Sequence, residues 1–376
     1  MEVYILKKWL VLSCHTGEGH DSAARAIIEA AKKKNIVCML KDPVSFGGAA
    51  AKNAVSSTYN KMLQRVPTAF GLIYKAGELF DRTGIISPVY YANALYAKSM
   101  EEYLQQEQFD AVICTHLFGM EAITAIRKRY RDSVPCFGVL TDYTCIPFLA
   151  ETNMDAYFIP HEDLCAELVH GGLPKTKLIP FGIPVGDAFV HPVGRDAARN
   201  YLVIPPDRRV FLVMSGGVGC GDLQKICDCF LDDANGDYVV YVLVGRNDDM
   251  YERLRQRYAA CSSIQIVAFT EKVRFFMEAA DVMISKPGGL SSTEAIVLGV
   301  PMVHILFIQG CEPKNAAFFM ERGLSVYAES VQIAVQNAIH LAEDHEQARL
   351  MRERQRIYAN PYAAEDLVEW VLDHAH

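Results

Sequence analysis

Apolar residues in this chain come in short runs, separated by stretches in which they recur every three or four positions. Trp9–Ser13, Ile36–Leu40, Phe109–Thr115, Cys136–Leu140, Ala156–Ile159 and Lys177–Phe181 have the length and composition of strands buried on both faces. Helical patterns at Ser22–Lys34, Met120–Tyr130 and Glu162–His170 alternate with them. The periodicity lapses over Gly182–Asp196, where Pro184, Gly186, Pro192 and Gly194 mark a linker. It then restarts. Val210–Met214, Tyr238–Val244, Ser263–Phe269, Val282–Ser285 and Met302–Leu306 read as strands, with helices to about Leu231 and over Asp248–Ala260, and Gln332–His376 reads as helical.

Strands alternating with helices predict parallel sheets covered on both faces. The pattern occurs twice, each time with a glycine-rich loop between a strand and a helix. The expected fold class is therefore α/β, with two Rossmann-like domains facing each other across a cleft. The expected boundaries are 1–188 and 200–357. The first domain carries an insertion at 47–104 and is completed by a C-terminal helix at about 358–376.

The insertion breaks the rhythm. Val55, Tyr59, Met62, Leu63 and Val66 form an amphipathic stripe that Pro67 is expected to end. Phe70, Leu72, Ile73, Tyr74, Leu79, Phe80, Tyr90, Tyr91, Leu95 and Tyr96 follow, interleaved with Lys52, Lys61, Arg65, Lys75, Arg82 and Lys98. Apolar and basic groups mixed in this way suit an anionic membrane surface. A helical insertion packed on the first domain accounts for the same pattern.

Composition narrows the choices. With 376 residues, 51% hydrophobic and 22% charged, the chain can build two cores. No apolar run reaches the roughly 18 residues of a membrane-spanning helix, and the first dozen residues do not read as a signal peptide. The eleven cysteines are scattered without metal-ligand spacing, as expected of free thiols in a reducing cytosol. A net charge of −8 argues against nucleic acid as a partner. Residues 1–100 nevertheless hold 13 Lys/Arg against 7 Asp/Glu, a balance of +6 that leaves −14 for the rest. A peripheral position on the cytoplasmic face of a membrane follows as the expected location.

The most specific segment is Ser285-Lys-Pro-Gly-Gly-Leu-Ser-Ser-Thr-Glu-Ala-Ile-Val-Leu-Gly-Val-Pro301. It reads as strand, Gly-Gly loop, helix and strand. Free N–H groups and the helix dipole at such a start favour an anion. Glu294 lies in the first turn, within reach of sugar hydroxyls beside a bound phosphate.

Taken with other motifs, this segment resembles the monogalactosyldiacylglycerol synthase family and its bacterial relatives, the diacylglycerol glucosyltransferases, of glycosyltransferase family 28. The family's N-terminal signature appears as Ser13-Cys-His-Thr-Gly-Glu-Gly-His-Asp-Ser-Ala-Ala24, its Thr-Asp motif as Thr141-Asp142, and its Gly-Ile-Pro-Val unit as Gly182–Val185. Two stretches depart from the family pattern. Gln309 and Cys311 replace its Pro and Gln ahead of Glu312 and Asn315, and His161 stands in its Pro-Ser-Glu stretch, here Pro160–Glu162. The resemblance implies a GT-B fold, its last helix crossing back onto the first domain, and an inverting transfer of a hexose from a UDP-sugar to a membrane lipid, foremost 1,2-diacylglycerol.

Roles follow from the resemblance and from the chemistry. His20, at a helix start that disfavours its charged form, is the expected base, and Asp142 is expected to orient it or the acceptor. His15 and His116 read as structural. Gly216, Gly217 and Gly219 allow close backbone approach to a ligand. Lys286, Gly288, Gly289, Ser291 and Ser292 are expected at the diphosphate, Glu294 at the ribose, Phe269 at the uracil, and Glu312 with Asn315 at the hexose. Gly19, Lys61, Arg65, Phe70, Tyr74 and Phe80 are expected on the acceptor and membrane side. No Asp-x-Asp motif is present, so no cofactor and no obligatory metal ion are expected. A transferase using UDP-GlcNAc on another lipid-linked acceptor, a soluble nucleotide-sugar epimerase or hydrolase of the same fold, and a silent nucleotide-sugar-binding protein stand as alternatives.

Overall fold

A computed structural model of the chain describes residues 6–14, 18–48, 67–81, 83–129, 134–219, 221–232, 237–306 and 310–375, with side chains at 67–73 left aside. Two compact units emerge. One holds the described residues within Met1–Lys61, Leu72–Asp187 and Asn360–His376, the other those within Met62–Gly71 and Ala188–Ala359.

The first unit is a parallel six-stranded sheet of β1 (Lys8–Leu12), β2 (Val37–Lys41), β3 (Ala111–Cys114), β4 (Cys136–Val139), β5 (Ala156–Phe158) and β6 (Leu178–Ile179), in the order β2-β1-β3-β4-β5-β6. Leu10 stands in register with Met39 on one side and Val112 on the other. The central strands are apolar throughout because helices cover both faces. The helices of this unit are α1 (Glu18–Lys33), α2 (Pro67–Asp81, from Leu72 on), α3 (Pro88–Ala94), α4 (Ala97–Glu107), α5 (Leu117–Arg129) and α6 (Cys165–His170). In α1 the buried face is Ala23, Ala24, Ala26, Ile27, Ala30 and Ala31, with acids in the first turn and lysines in the last. The segment 67–107 is helical, as its lack of strand pattern implied, and Pro67 opens its first helix. Proline lacks only an N–H that the first turn would leave unbonded anyway. The stripe Val55–Val66 lies outside the described residues.

The second unit repeats the plan with β7 (Arg209–Met214), β8 (Tyr238–Leu243), β9 (Ile264–Val267), β10 (Val282–Ser285), β11 (Met302–Ile305) and β12 (Val326–Ala328), in the order β12-β11-β10-β7-β8-β9. Its helices, after the short α7 (Asp187–Val190) that leads into it, are α8 (Arg195–Tyr201), α9 (Leu223–Asp232), α10 (Asp248–Arg257), α11 (Val273–Ala279), α12 (Gly289–Leu298), α13 (Glu312–Glu321), α14 (Val331–Glu343) and α15 (His345–Tyr358). Helices α7 and the start of α8 occupy part of the stretch expected to be irregular linker. β12 has only three residues and gave no sequence signal.

The chain's path returns to the first unit in α16 (Ala363–His374). Leu367, Val368 and Val371 are fully buried in one apolar cluster with Trp9, Ile27, Phe137 and Phe158. The Trp370 ring meets Phe137 and Phe158 edge-on at 5.7 and 5.4 Å. Lys34 and Glu369 pair at 2.7 Å on the outside.

Candidate active site

In the first unit, the loop after β1 delivers His20 into the first turn of α1. Its Nδ1 lies 2.8 Å from the Thr115 carbonyl oxygen and 2.9 Å from the Thr141 hydroxyl. A carbonyl oxygen can only accept, so Nδ1 carries a hydrogen, and the tautomer this selects has its lone pair on Nε2. The sheet enforces this tautomer, because Thr115 and Thr141 follow the ends of the neighbouring strands β3 and β4. The His116 ring stands edge-on to His20 at 4.6 Å, and its own Nδ1 accepts the Phe118 N–H at 3.2 Å. Burial, with His20 beside it, holds His116 well below the usual imidazole range, so His116 stays neutral. The structure thus gives His116 a place at the site that sequence reasoning withheld.

Asp142 is half-buried, one residue beyond Thr141. The sequence motif contains both residues, and the ring-orienting bond comes from the threonine. Gly19 lies in the same first turn of α1. Asp21, buried there, accepts a hydrogen bond of 2.5 Å from Ser13 and ties the turn to the end of β1.

Of the residues expected on the acceptor side, Tyr74 and Phe80 lie on α2, half-buried, with Phe80 edge-on to Phe148 at 6.4 Å. Phe70 is on the same helix, but its side chain, like Lys61 and Arg65, falls outside the described residues. Leu79, Ile85, Tyr91 and Leu95 are exposed by 69%, 63%, 59% and 87%.

In the second unit, the expected donor residues gather around the start of α12. Gly288 is its N-cap, and Gly299, at φ 68°, closes it in the left-handed conformation that Gly-Val-Pro predicted. The Lys286 stem crosses the glycine loop after β7. A Cβ on Gly216 would lie 2.7 Å from Lys286 Cε, and φ there is +77°, so only glycine suits the position. Lys286 Nζ donates to Glu312 Oε1 at 2.8 Å, and the Glu312 side chain is 5% exposed. Asn315 is fully buried and its amide donates to the Pro287 carbonyl at 3.0 Å, which makes it a support of the loop. Gly289 is buried and Ser291 half-buried in the first turn, while Glu294, expected in that turn, falls in the second because the helix opens at Gly289, and it is buried at 9% exposure.

Ser292 is fully buried. Its hydroxyl meets His304 Nε2 at 3.1 Å, and Ser325 meets His304 Nδ1 at 3.0 Å. Burial pushes His304 down to about 3, so its ring is neutral and bridges helix and sheet. Phe269 is 38% exposed, with the Arg246 guanidinium 3.6 Å from its ring centroid. The Arg246 N–H donates to Gly217 O at 2.8 Å. Sequence reasoning missed Arg246, Thr115 and His304. Their partners are distant in sequence, and only the Gly-Arg-Asn turn after β8 offered a local cue.

Comparison with known proteins gives this geometry a family. Residues 20–185 match the family model described as Monogalactosyldiacylglycerol (MGDG) synthase. Residues 210–366 match the one described as Glycosyltransferase family 28 C-terminal domain. A processive diacylglycerol beta-glucosyltransferase of Bacillus thuringiensis (strain Al Hakam) is 25% identical over 378 residues, covering 98% of this chain and 94% of its own. Among solved structures, MurG of Acinetobacter baumannii aligns with a TM-score of 0.59 at 15% identity, covering 98% of this chain and 99% of its own. The UDP-GlcNAc 2-epimerase of Neisseria meningitidis, bound to UDP-GlcNAc, aligns at 0.62 and 15%, covering 98% and 100%. At that identity the two structures speak for the fold alone, which is GT-B. With both of its units matched in order, the chain belongs to the monogalactosyldiacylglycerol synthase family of glycosyltransferase family 28, and it is a glycosyltransferase.

Proposed function

We propose that the protein transfers a hexose from a UDP-sugar to the free hydroxyl of diacylglycerol, with inversion at the anomeric carbon. The observation that carries this reading is the fixed tautomer of His20. With Nδ1 committed to the Thr115 carbonyl, Nε2 takes the proton of the acceptor hydroxyl as its oxygen bonds to the anomeric carbon. The bond from that carbon to the diphosphate oxygen breaks, and its electron pair leaves with UDP. The start of α12 and the Lys286 ammonium supply positive charge to the departing diphosphate. Glu294 holds the ribose, Glu312 the hexose, and the Phe269–Arg246 pair the uracil. On this reading the residues of 1–188 with 358–376 serve the lipid, and those of 200–357 serve the donor.

The reaction as drawn calls for no metal ion, and full activity in a chelating buffer is expected. Among the described residues no helix is long and apolar enough to cross a membrane. The bare apolar residues of 79–95 support peripheral attachment to the inner face of the cell membrane. The relative named for glucosyl transfer favours UDP-glucose, whereas Cys311 and Gln309 differ from the family beside the hexose. A panel of UDP-glucose, UDP-galactose and UDP-GlcNAc, each with dioleoylglycerol vesicles, decides by lipid mass spectrometry. A glycosyldiacylglycerol is expected. Consumption of every donor without a lipid product would overturn the reading.

A further inference from the structure

A cavity of about 710 Å³ opens in the first unit between the turn Pro43–Gly47 and helices α3 and α4. Val44, Phe46, Pro88, Ala92, Leu95 and Phe118 supply most of its wall. Three lining side chains have polar atoms, and two of these are already satisfied within the protein. The Asn93 amide donates to Val89 O at 2.9 Å and to Glu121 Oε2 at 2.5 Å, and its oxygen accepts the Tyr96 hydroxyl. Among the described lining side chains, only the Ser99 hydroxyl is left to a guest. A sugar or nucleotide would lose its hydrogen bonds to water here and find almost none in return. A hydrocarbon chain loses nothing.

The cavity also has a direction. Phe118 in its wall stands edge-on to His116 at 4.5 Å, and His116 stands edge-on to His20 at 4.6 Å. A guest against Phe118 is therefore one imidazole ring away from the proposed base. Leu95, in the wall, is 87% exposed, and Ile85 and Tyr91, exposed on the same stretch of chain, are apolar too. A chain entering past Leu95 comes from an apolar medium.

We infer that this cavity takes one acyl chain of the lipid acceptor and so sets the position of the acceptor hydroxyl before His20. The inference rests on the lipid-acceptor reading, naming the part of the lipid that is gripped and the residues that grip it. Ala92 and Ser99 are exposed, so a larger side chain at either can fill the cavity from its rim without disturbing the core.

The test uses the full chain as wild type, Ala92→Phe and Ser99→Phe, with fluorescence of the buried Trp9 reporting an intact first unit. Binding of cis-parinaric acid, a fluorescent eighteen-carbon fatty acid, is measured first. Wild type is expected to bind it, and each filled variant to bind at least tenfold more weakly. Transfer to dioctanoylglycerol and dibutyrylglycerol is measured next. Wild type is expected to favour the longer chain, by up to about fourfold for each methylene buried, and the filled variants to lose most of that preference. Failure of wild type to bind the probe, or equal binding by all three proteins, overturns the inference. Probe binding that responds to the substitutions without any transfer to diacylglycerol leaves the acyl site standing and removes the proposed reaction instead. If one variant fails to fold, the other carries the comparison.

Discussion

The first turns of α1 and α12 make an instructive pair. Both helices follow a buried parallel strand, and both begin at the end of the sheet where ligands collect in such folds. In α1 the first turn carries its own acids, Glu18 and Asp21, so the positive end of the helix dipole is already answered. What that turn offers instead is an imidazole whose Nδ1 is held by a carbonyl. In α12 the first turn has no acid, two glycines bare the backbone, and a lysine lies alongside. One turn is built to accept a proton and the other to receive an anion, and the choice lies in a handful of side chains on one common scaffold.

The comparison breaks most visibly at His20. His20→Ala is expected to lower kcat by about 10²–10⁴, while UDP affinity, measured by calorimetry, changes less than twofold. Loss of UDP affinity would show that the two turns do not divide the work. Lys286→Ala comes next. It removes charge from the leaving diphosphate and leaves the buried Glu312 without its ion pair, and a fall of about 10²-fold in kcat/KM is expected, with kcat affected as well. A change in KM alone would assign Lys286 to donor binding only.

Thr141→Val sharpens the tautomer argument. It removes one of two groups on His20 Nδ1 and keeps the carbonyl, so a loss of about 3–10-fold in kcat is expected, matching one ordinary hydrogen bond. A loss as large as that of His20→Ala would mean that the hydroxyl takes part in the chemistry.

A separate effect is on stability, and it has opposite signs in the two units. His304 in the second unit is pushed down to about 3 from an ordinary 6.5. Between those values the unfolded chain binds a proton that the folded one refuses. Stability is complete above about pH 6.5 and falls as the pH drops. Glu121 in the first unit is pushed up to about 8 from 4.5, chiefly by burial. Across that window the unfolded chain gives up a proton that the folded one keeps, so stability falls as the pH rises. Melting temperature against pH should show His304→Asn flattening the acid limb and Glu121→Gln the alkaline limb.

Much of the fold was legible because parallel strands covered on both faces leave nearly unbroken apolar runs, and glycine and proline mark where those runs stop. Val326–Ala328 escaped because three residues at a sheet edge leave no period to detect. At the site, local motifs found His20, Thr141-Asp142 and the Lys286–Glu294 stretch. Long-range pairings stayed hidden. Nothing near Gly216 announces Lys286 seventy residues on, and nothing near Ser292 announces His304 behind it.

One further consequence concerns the order in which the protein can assemble. The cluster around Trp9, Phe137 and Phe158 is closed by Leu367, Val368 and Val371, which leave the ribosome only after all of Ala188–Ala359 has been made. The second unit has all of its own residues once Ala359 is made. The first, begun earlier, must wait with an open apolar face, in the company of chaperones, until residues 363–374 arrive. A released chain truncated at residue 359 should therefore carry a protease-resistant second unit and a protease-sensitive first one. In this protein the unit that starts first is the one that finishes last.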